Sequence, residues 1–432
     1  MARYAVAVLA LSFALSLTVG ARRPEPGPGA AGSGSLTPVA TLVEQAKARV
    51  GVNARVRLTD AAVAESLRLG APDTPNYVKA LGQLPQAAGP MAKLVQTFLY
   101  KGALPTELKA ALGLRTAQIN GSPYVAAHAL RVLRSTDDGK RLAAAASKGN
   151  GETLQPREAL ALKHIDALTR DVNGVSPDAF AATRSVFNDS ELVELTMTTS
   201  FFNYLTRYAE AVRIPVEPWA LDTAGPAPEA RARYGTPRVA LISDEEIAAT
   251  TAAAAAAKDQ TAQAQSLGLG IANSQRAMLR APALAAAWRE YGRAVRTDEQ
   301  VGRDIKLQVS FAVSMANQCR YCTLHQVLGL RRLGVDPAKL IAMKKDDSAL
   351  TPREKVAVLF ARKLTKTPGA MTDADYQAVV AEFGPRGALE VTLQTCAFAF
   401  MNRFTDGLQL PSEDEAIRVY QETYGGAWQK TN

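Results

Sequence analysis

The chain repeats itself, and that repeat limits its possible folds more than any other feature. Asn76, Pro85, Glu107, Lys109, Asn120, Ser122, Tyr124 and His128 recur as Asn273, Pro282, Asp304, Lys306, Asn317, Cys319, Tyr321 and His325, about 197 positions on. Downstream, Pro156-Arg157-Glu158 answers Pro352-Arg353-Glu354, Glu194 answers Glu390 and Arg207 answers Arg403, about 196 positions apart. Long-period self-similarity marks an internal duplication, so the fold adopted by one copy must also suit the other.

The repeated pattern is helical almost throughout. Thr351 followed by Pro352 and Glu354 reads as a helix start with a capping box, and Ser190-Glu191-Leu192 has a similar opening. Strand-like alternation is scarce, aromatic content is low and alanine is abundant. The expected class is all-α. At 432 residues and 47% hydrophobic content the chain is long enough for two or three globular units. Each copy ends in an aromatic helix, Phe201 to Arg207 and Phe398 to Arg403, whose stripes read as core.

Chemistry concentrates in Asn317-Gln318-Cys319-Arg320-Tyr321-Cys322-Thr323-Leu324-His325, which holds two of the three cysteines and one of the three histidines. On a helix, Cys319, Cys322 and His325 share one stripe, and residues three apart lie within reach of a disulfide. Asn317 reads as an N-cap that puts Cys319 in the first turn, where the helix dipole favours a thiolate, with Arg320 adding positive charge. His325, one turn past Cys322, could exchange a proton with a thiol or a leaving oxygen. The other readings of the pair are a structural disulfide or half a zinc site. No second Cys pair supplies further zinc ligands, and Thr323 stands where haem attachment needs a His. No metal or cofactor is expected. Cys396, in an apolar run, reads as a buried small hydrophobe. The first copy carries neither thiol of the pair.

Residues 1–21 read as a secretory signal, with a short uncleaved membrane anchor as the alternative, so the expected location is periplasmic or secreted. Residues 22–53 form a Pro-, Gly- and Ala-rich leader and N-terminal extension, 54–218 the first domain, 219–236 a linker and 237–432 the second domain. Ala248 to Ala257 reads as an exposed or loosely packed Ala-rich helix. The net charge of +9 is spread along the chain, which argues against a nucleic-acid partner.

These motifs resemble the carboxymuconolactone decarboxylase-like superfamily, which includes the AhpD-type alkylhydroperoxidases. The resemblance rests on Asn317 to Thr323, the Thr-Pro-Arg-Glu helix start, the Phe-Met-Asn-Arg-Phe helix and, in the first copy, Leu114 to Tyr124. It implies two tandem all-α domains forming an intramolecular pseudo-dimer, and further assembly into a homo-oligomer. In AhpD-type members the second Cys attacks a hydroperoxide and the first resolves, which assigns attack to Cys322 and resolution to Cys319. The implied partners are a small hydroperoxide and an external thiol or dithiol reductant. The family's proton relay does not carry over: its Glu position falls on Leu307 and its His position on Gln326. Asp304 and His325 are the nearest substitutes. Ser122, Val125 and Ala110 occupy the matching positions of the first copy, which makes that copy a non-catalytic partner. The superfamily's lyase branch and a non-catalytic protein with a structural disulfide are the rival functions.

Overall fold

A computed structural model describes residues 36–56, 58, 71–148, 154–221, 272–296 and 300–429. The signal-like stretch, the linker beyond Leu221 and the Ala-rich run lie outside these residues. Among the described residues every regular element is helical, and no helix is long and apolar enough to cross a membrane.

The first half comprises α1 (Val39–Ala48), α2 (Asn76–Lys79), α3 (Ala88–Tyr100), α4 (Thr106–Asn120), α5 (Pro123–Arg134), α6 (Asp137–Lys148), α7 (Pro156–Arg170), α8 (Pro177–Arg184) and α9 (Asp189–Ala211). The second repeats the series from α2 onward. It runs α10 (Asn273–Met278), α11 (Pro282–Val295), α12 (Arg303–Ala316), α13 (Arg320–Arg332), α14 (Pro337–Lys345), α15 (Pro352–Lys366), α16 (Asp373–Gly407) and α17 (Asp414–Tyr424). α16 is two helices joined at Gly384, whose φ of 71° and ψ of 171° break the helical path just before Pro385. Its two segments answer α8 and α9.

Helix starts follow local chemistry. Thr351 and Glu354 close a capping box at α15, as expected, and Gln155 and Glu158 do so at α7. At α9 the cap is Asn188, whose side chain accepts from Glu191 N–H, two residues before the expected Ser190. Asn188 wins because its short carboxamide can accept from the third helical N–H while Glu191 returns the bond.

The N-terminal extension that follows the leader carries a helix. α1 packs on α5, with Leu42 and Ala46 fully buried. The first half also runs past 218, through a 3-10 turn at Pro218–Ala220 whose Ala220 is buried.

α9 and the second segment of α16 lie against each other, and one apolar core runs through both halves. Phe98 meets Phe400 edge-on at 6.3 Å between centroids, and Trp288 stacks on Phe400 at 3.9 Å. One pair of polar contacts across the halves is reciprocal. Buried Arg207 donates to Thr365 O at 3.0 Å, and buried Arg403 donates to Thr169 O at 2.9 Å. Within each half a buried lysine meets a buried glutamate, Lys109 with Glu194 and Lys306 with Glu390, so neither charge is stranded.

Candidate active site

The site lies where α12 turns into α13. Asn317 is the C-cap of α12, not the N-cap of α13. Gln318 takes the left-handed conformation, φ 55°, in the position where the first half has Gly121, φ 66°. This single reversed residue lets Cys319 N–H bond Ser314 O at 2.9 Å and makes Cys319 itself the N-cap of α13. Its Sγ accepts from Cys322 N–H at 3.3 Å, which turns the sulfur of the first cysteine toward the second.

Both sulfurs converge on Thr405 in α16, at 3.5 Å from Cys319 and 3.4 Å from Cys322. Thr405 gives its own hydroxyl hydrogen to Met401 O at 2.9 Å, so its oxygen is free to accept the Cys322 S–H. Cys319 also donates to Asp406 Oδ1 at 3.2 Å, while Asp406 Oδ2 accepts from Arg320 N–H at 3.3 Å. Cys319, Cys322 and Cys396 are all free thiols, and all are buried.

The electrostatics differ from the sequence expectation. Burial, the Cys322 neighbour and the Asp406 carboxylate push the Cys319 thiol well above its ordinary value, so this cysteine holds its proton. The helix N-terminus expected to favour its thiolate is outweighed by desolvation and by a nearby negative charge. Burial also lifts Asp406, to about 6, against the hydrogen bonds from Cys319 and the Arg320 and Tyr321 N–H groups that favour its ionised form.

His325 does not reach the thiols. Its Nδ1 bonds Tyr321 O at 2.7 Å and its Nε2 bonds Glu413 Oε2 at 2.5 Å. Glu413 Oε1 accepts from Tyr321 OH at 3.1 Å and Asn273 N–H at 2.7 Å. Burial alone would raise the Glu413 carboxyl, but the hydrogen bonds from His325 and Asn273 N–H hold it down at about 2. Asp304 is further away: it sits exposed in the first turn of α12, while the thiols follow the last turn. At 1.5 Å of rise per residue, that leaves it roughly 18 Å from the Cys319 end of the helix. Leu307, at the expected Glu position, packs into an apolar cluster.

The first half provides an internal control. His128 bonds Glu217 at 2.9 Å, Tyr124 OH donates to Glu217 at 3.0 Å, and Asn76 N–H also bonds Glu217. This is the same His–Glu–Tyr arrangement, without thiols. Ser122 Oγ donates to Glu210 at 2.8 Å, as Cys319 does to Asp406. The features confined to the second half are Cys319, where the first has Ser122, Cys322, where it has Val125, and Thr405, where it has Ala209. The sequence reading missed Asp406, Thr405 and Glu413. The signal was there, since Glu210 and Glu217 recur at the 196-residue spacing as Asp406 and Glu413.

The first half also reaches into the site. Val172, in the loop after α7, packs with Cys319, Tyr321 and Cys322, and Asn173 Nδ2 donates to Gln318 O at 3.1 Å. Among the described residues no group of three or more His, Cys, Asp or Glu could hold a metal.

Residues 282–363 match the family model of the carboxymuconolactone decarboxylase family. A search of curated protein sequences finds no match. Among solved structures, the chain is similar to the apo crystal structure of the debrominase Bmp8, with a TM-score of 0.33 and 18% identity over 38% of this chain and 95% of that one. A likeness that distant does not bear on chemistry.

Proposed function

The chain belongs to the carboxymuconolactone decarboxylase-like superfamily through residues 282–363, and from that premise we propose that its second half reduces hydroperoxides with the Cys319–Cys322 pair. The observation that carries this reading is the convergence of both sulfurs on Thr405, with Asp406 beside Cys319.

Cys319 keeps its proton, so attack falls to Cys322. The Cys322 sulfur takes the distal peroxide oxygen as the O–O bond breaks, giving a sulfenic acid and releasing the alcohol. Cys319 then attacks that sulfenic sulfur. Its proton passes to Asp406 and onward to the departing oxygen, which leaves as water, and an S–S bond forms. An external dithiol returns the pair to thiols. Asp406 suits this role because a carboxyl near 6 can both take and return a proton at neutral pH.

The test is peroxide consumption by the full chain with a generic dithiol reductant. Turnover is expected in the unaltered protein and not in Cys322→Ser. Equal turnover by that variant would exclude thiol chemistry at this site.

A further inference from the structure

The turn that sets Cys319 in place is strained, and the two halves hold it differently. Gln318 lies at φ 55°, where a side chain crowds the backbone and glycine is the usual occupant. The first half places glycine there, Gly121 at φ 66°. The turn is otherwise alike in both halves: Ser122 N–H bonds Ala117 O at 3.0 Å, as Cys319 N–H bonds Ser314 O at 2.9 Å. The thiol-bearing half therefore carries a backbone cost that the thiol-free half avoids, and such a conformation persists only where its surroundings hold it.

The loops that face the two turns differ at one position. Gly369 faces the first-half turn so closely that a Cβ on it would fall 3.1 Å from Asn120 O and 3.3 Å from Gly121 O. The loop after α7 carries Asn173 at the matching position, 196 residues earlier, and its Nδ2 donates to Gln318 O at 3.1 Å. Asn173 is itself steadied by Asp171, whose Oδ1 accepts from Asn173 N–H at 2.9 Å. The Gln318–Cys319 peptide is thus held at both ends, its N–H by α12 and its C=O by the other half of the molecule. Rotation of that peptide would swing the Cys319 side chain and break the bond from Cys322 N–H to Cys319 Sγ. A pair of thiols tolerates such relaxation, whereas a disulfide, whose geometry is narrow, does not. A contact that fixes the turn beforehand removes that cost from disulfide formation.

We propose that Asn173 is a positioning residue for the thiol pair: by clamping the Gln318–Cys319 peptide, the first half biases the dithiol–disulfide equilibrium of the second toward the disulfide. The inference rests on the pair being redox-active, as proposed above, but it needs no peroxide.

The experiment equilibrates the full chain with glutathione buffers and measures the oxidised pair by acid quench, alkylation and mass spectrometry. Cys322 attacks one sulfur of glutathione disulfide and releases a glutathione thiolate; Cys319 then attacks the Cys322 sulfur of the mixed disulfide and releases the second. The two protein thiols are oxidised and the glutathione disulfide is reduced to two thiols. Asn173→Ala should lower the equilibrium constant of this exchange about three- to tenfold, the worth of one hydrogen bond, with helical circular dichroism unchanged. Adding Gln318→Gly to Asn173→Ala should restore the constant to within about twofold, because glycine holds this turn unaided, as Gly121 does. A constant unchanged in Asn173→Ala, or a loss that Gln318→Gly does not restore, would overturn the clamp while leaving the redox pair intact. Failure of the unaltered chain to form a Cys319–Cys322 disulfide would overturn the reading of the pair itself, and this inference with it.

Discussion

Asp406 is the residue on which the proton chemistry turns, and it carries a pH signature. Resolution needs its carboxylate, so the rate of disulfide formation should rise with pH through about 6 and level off above it. Asp406→Asn should remove that rise and slow the step about a hundredfold, measured by stopped flow between pH 5 and 8. An unchanged profile would remove Asp406 from the mechanism. The same group acts on stability in the opposite sense. Its folded value lies above the ordinary 3.8, so its contribution is full below about 4 and lost as pH rises through about 6. His325 is different. The His128–Glu217 pair recurs in a half without thiols, which assigns the His325–Glu413 pair to holding α13 against the segment before α17. His325→Ala should cost about 1–3 kcal/mol in denaturant unfolding and leave the first oxidation of Cys322 unchanged. Loss of that oxidation without loss of stability would return His325 to the chemistry. The thiols were legible in the sequence because cysteine is rare here. Their acidic partner was not, because one Asp among many shows no chemistry until the fold sets it 3.2 Å from a sulfur.

Helices were the most legible level. The Thr351–Glu354 box and the 196–197-residue spacing place α15 and most of its neighbours from local chemistry alone. Two junctions misled. Asn317 has the composition of an N-cap, but the left-handed turn at Gln318 assigns it to the preceding helix and hands the cap to a sulfur, an acceptor that propensity reasoning seldom considers. At Gly384 the backbone enters a region open almost solely to glycine, so two helices meet end to end where the first half has a capped break at Asn188. A Cβ at Gly384 would meet nothing within 4 Å, so the penalty for adding one is backbone strain alone. Gly384→Ala should therefore lower stability by about 1–3 kcal/mol, read from urea unfolding. A neutral result would mean that the junction relaxes without cost.

At the scale of the whole molecule, the halves complete one another. Arg207 and Arg403 exchange donations to opposite carbonyls, and the loop carrying Val172 and Asn173 covers the thiols while Gly369, the counterpart of Asn173, sits against Asn120 and Gly121. The duplication was visible in the sequence, but this exchange was not, because a loop residue such as Val172 bears no mark of the half it serves. The consequence is a first-half substitution with a second-half effect. Val172→Ala should speed alkylation of Cys322 by iodoacetamide roughly threefold or more, since it thins the cover over a buried sulfur. An unchanged rate would show that access runs by another route. The central claim, that Cys322 attacks and Cys319 resolves, is tested most directly by peptide mass spectrometry of the full chain quenched after one equivalent of hydroperoxide. The account predicts a Cys319–Cys322 disulfide in the unaltered protein and, in Cys319→Ser, oxygen added to Cys322 alone. Oxygen retained on Cys319 in Cys322→Ser, with Cys322 untouched in Cys319→Ser, would contradict it.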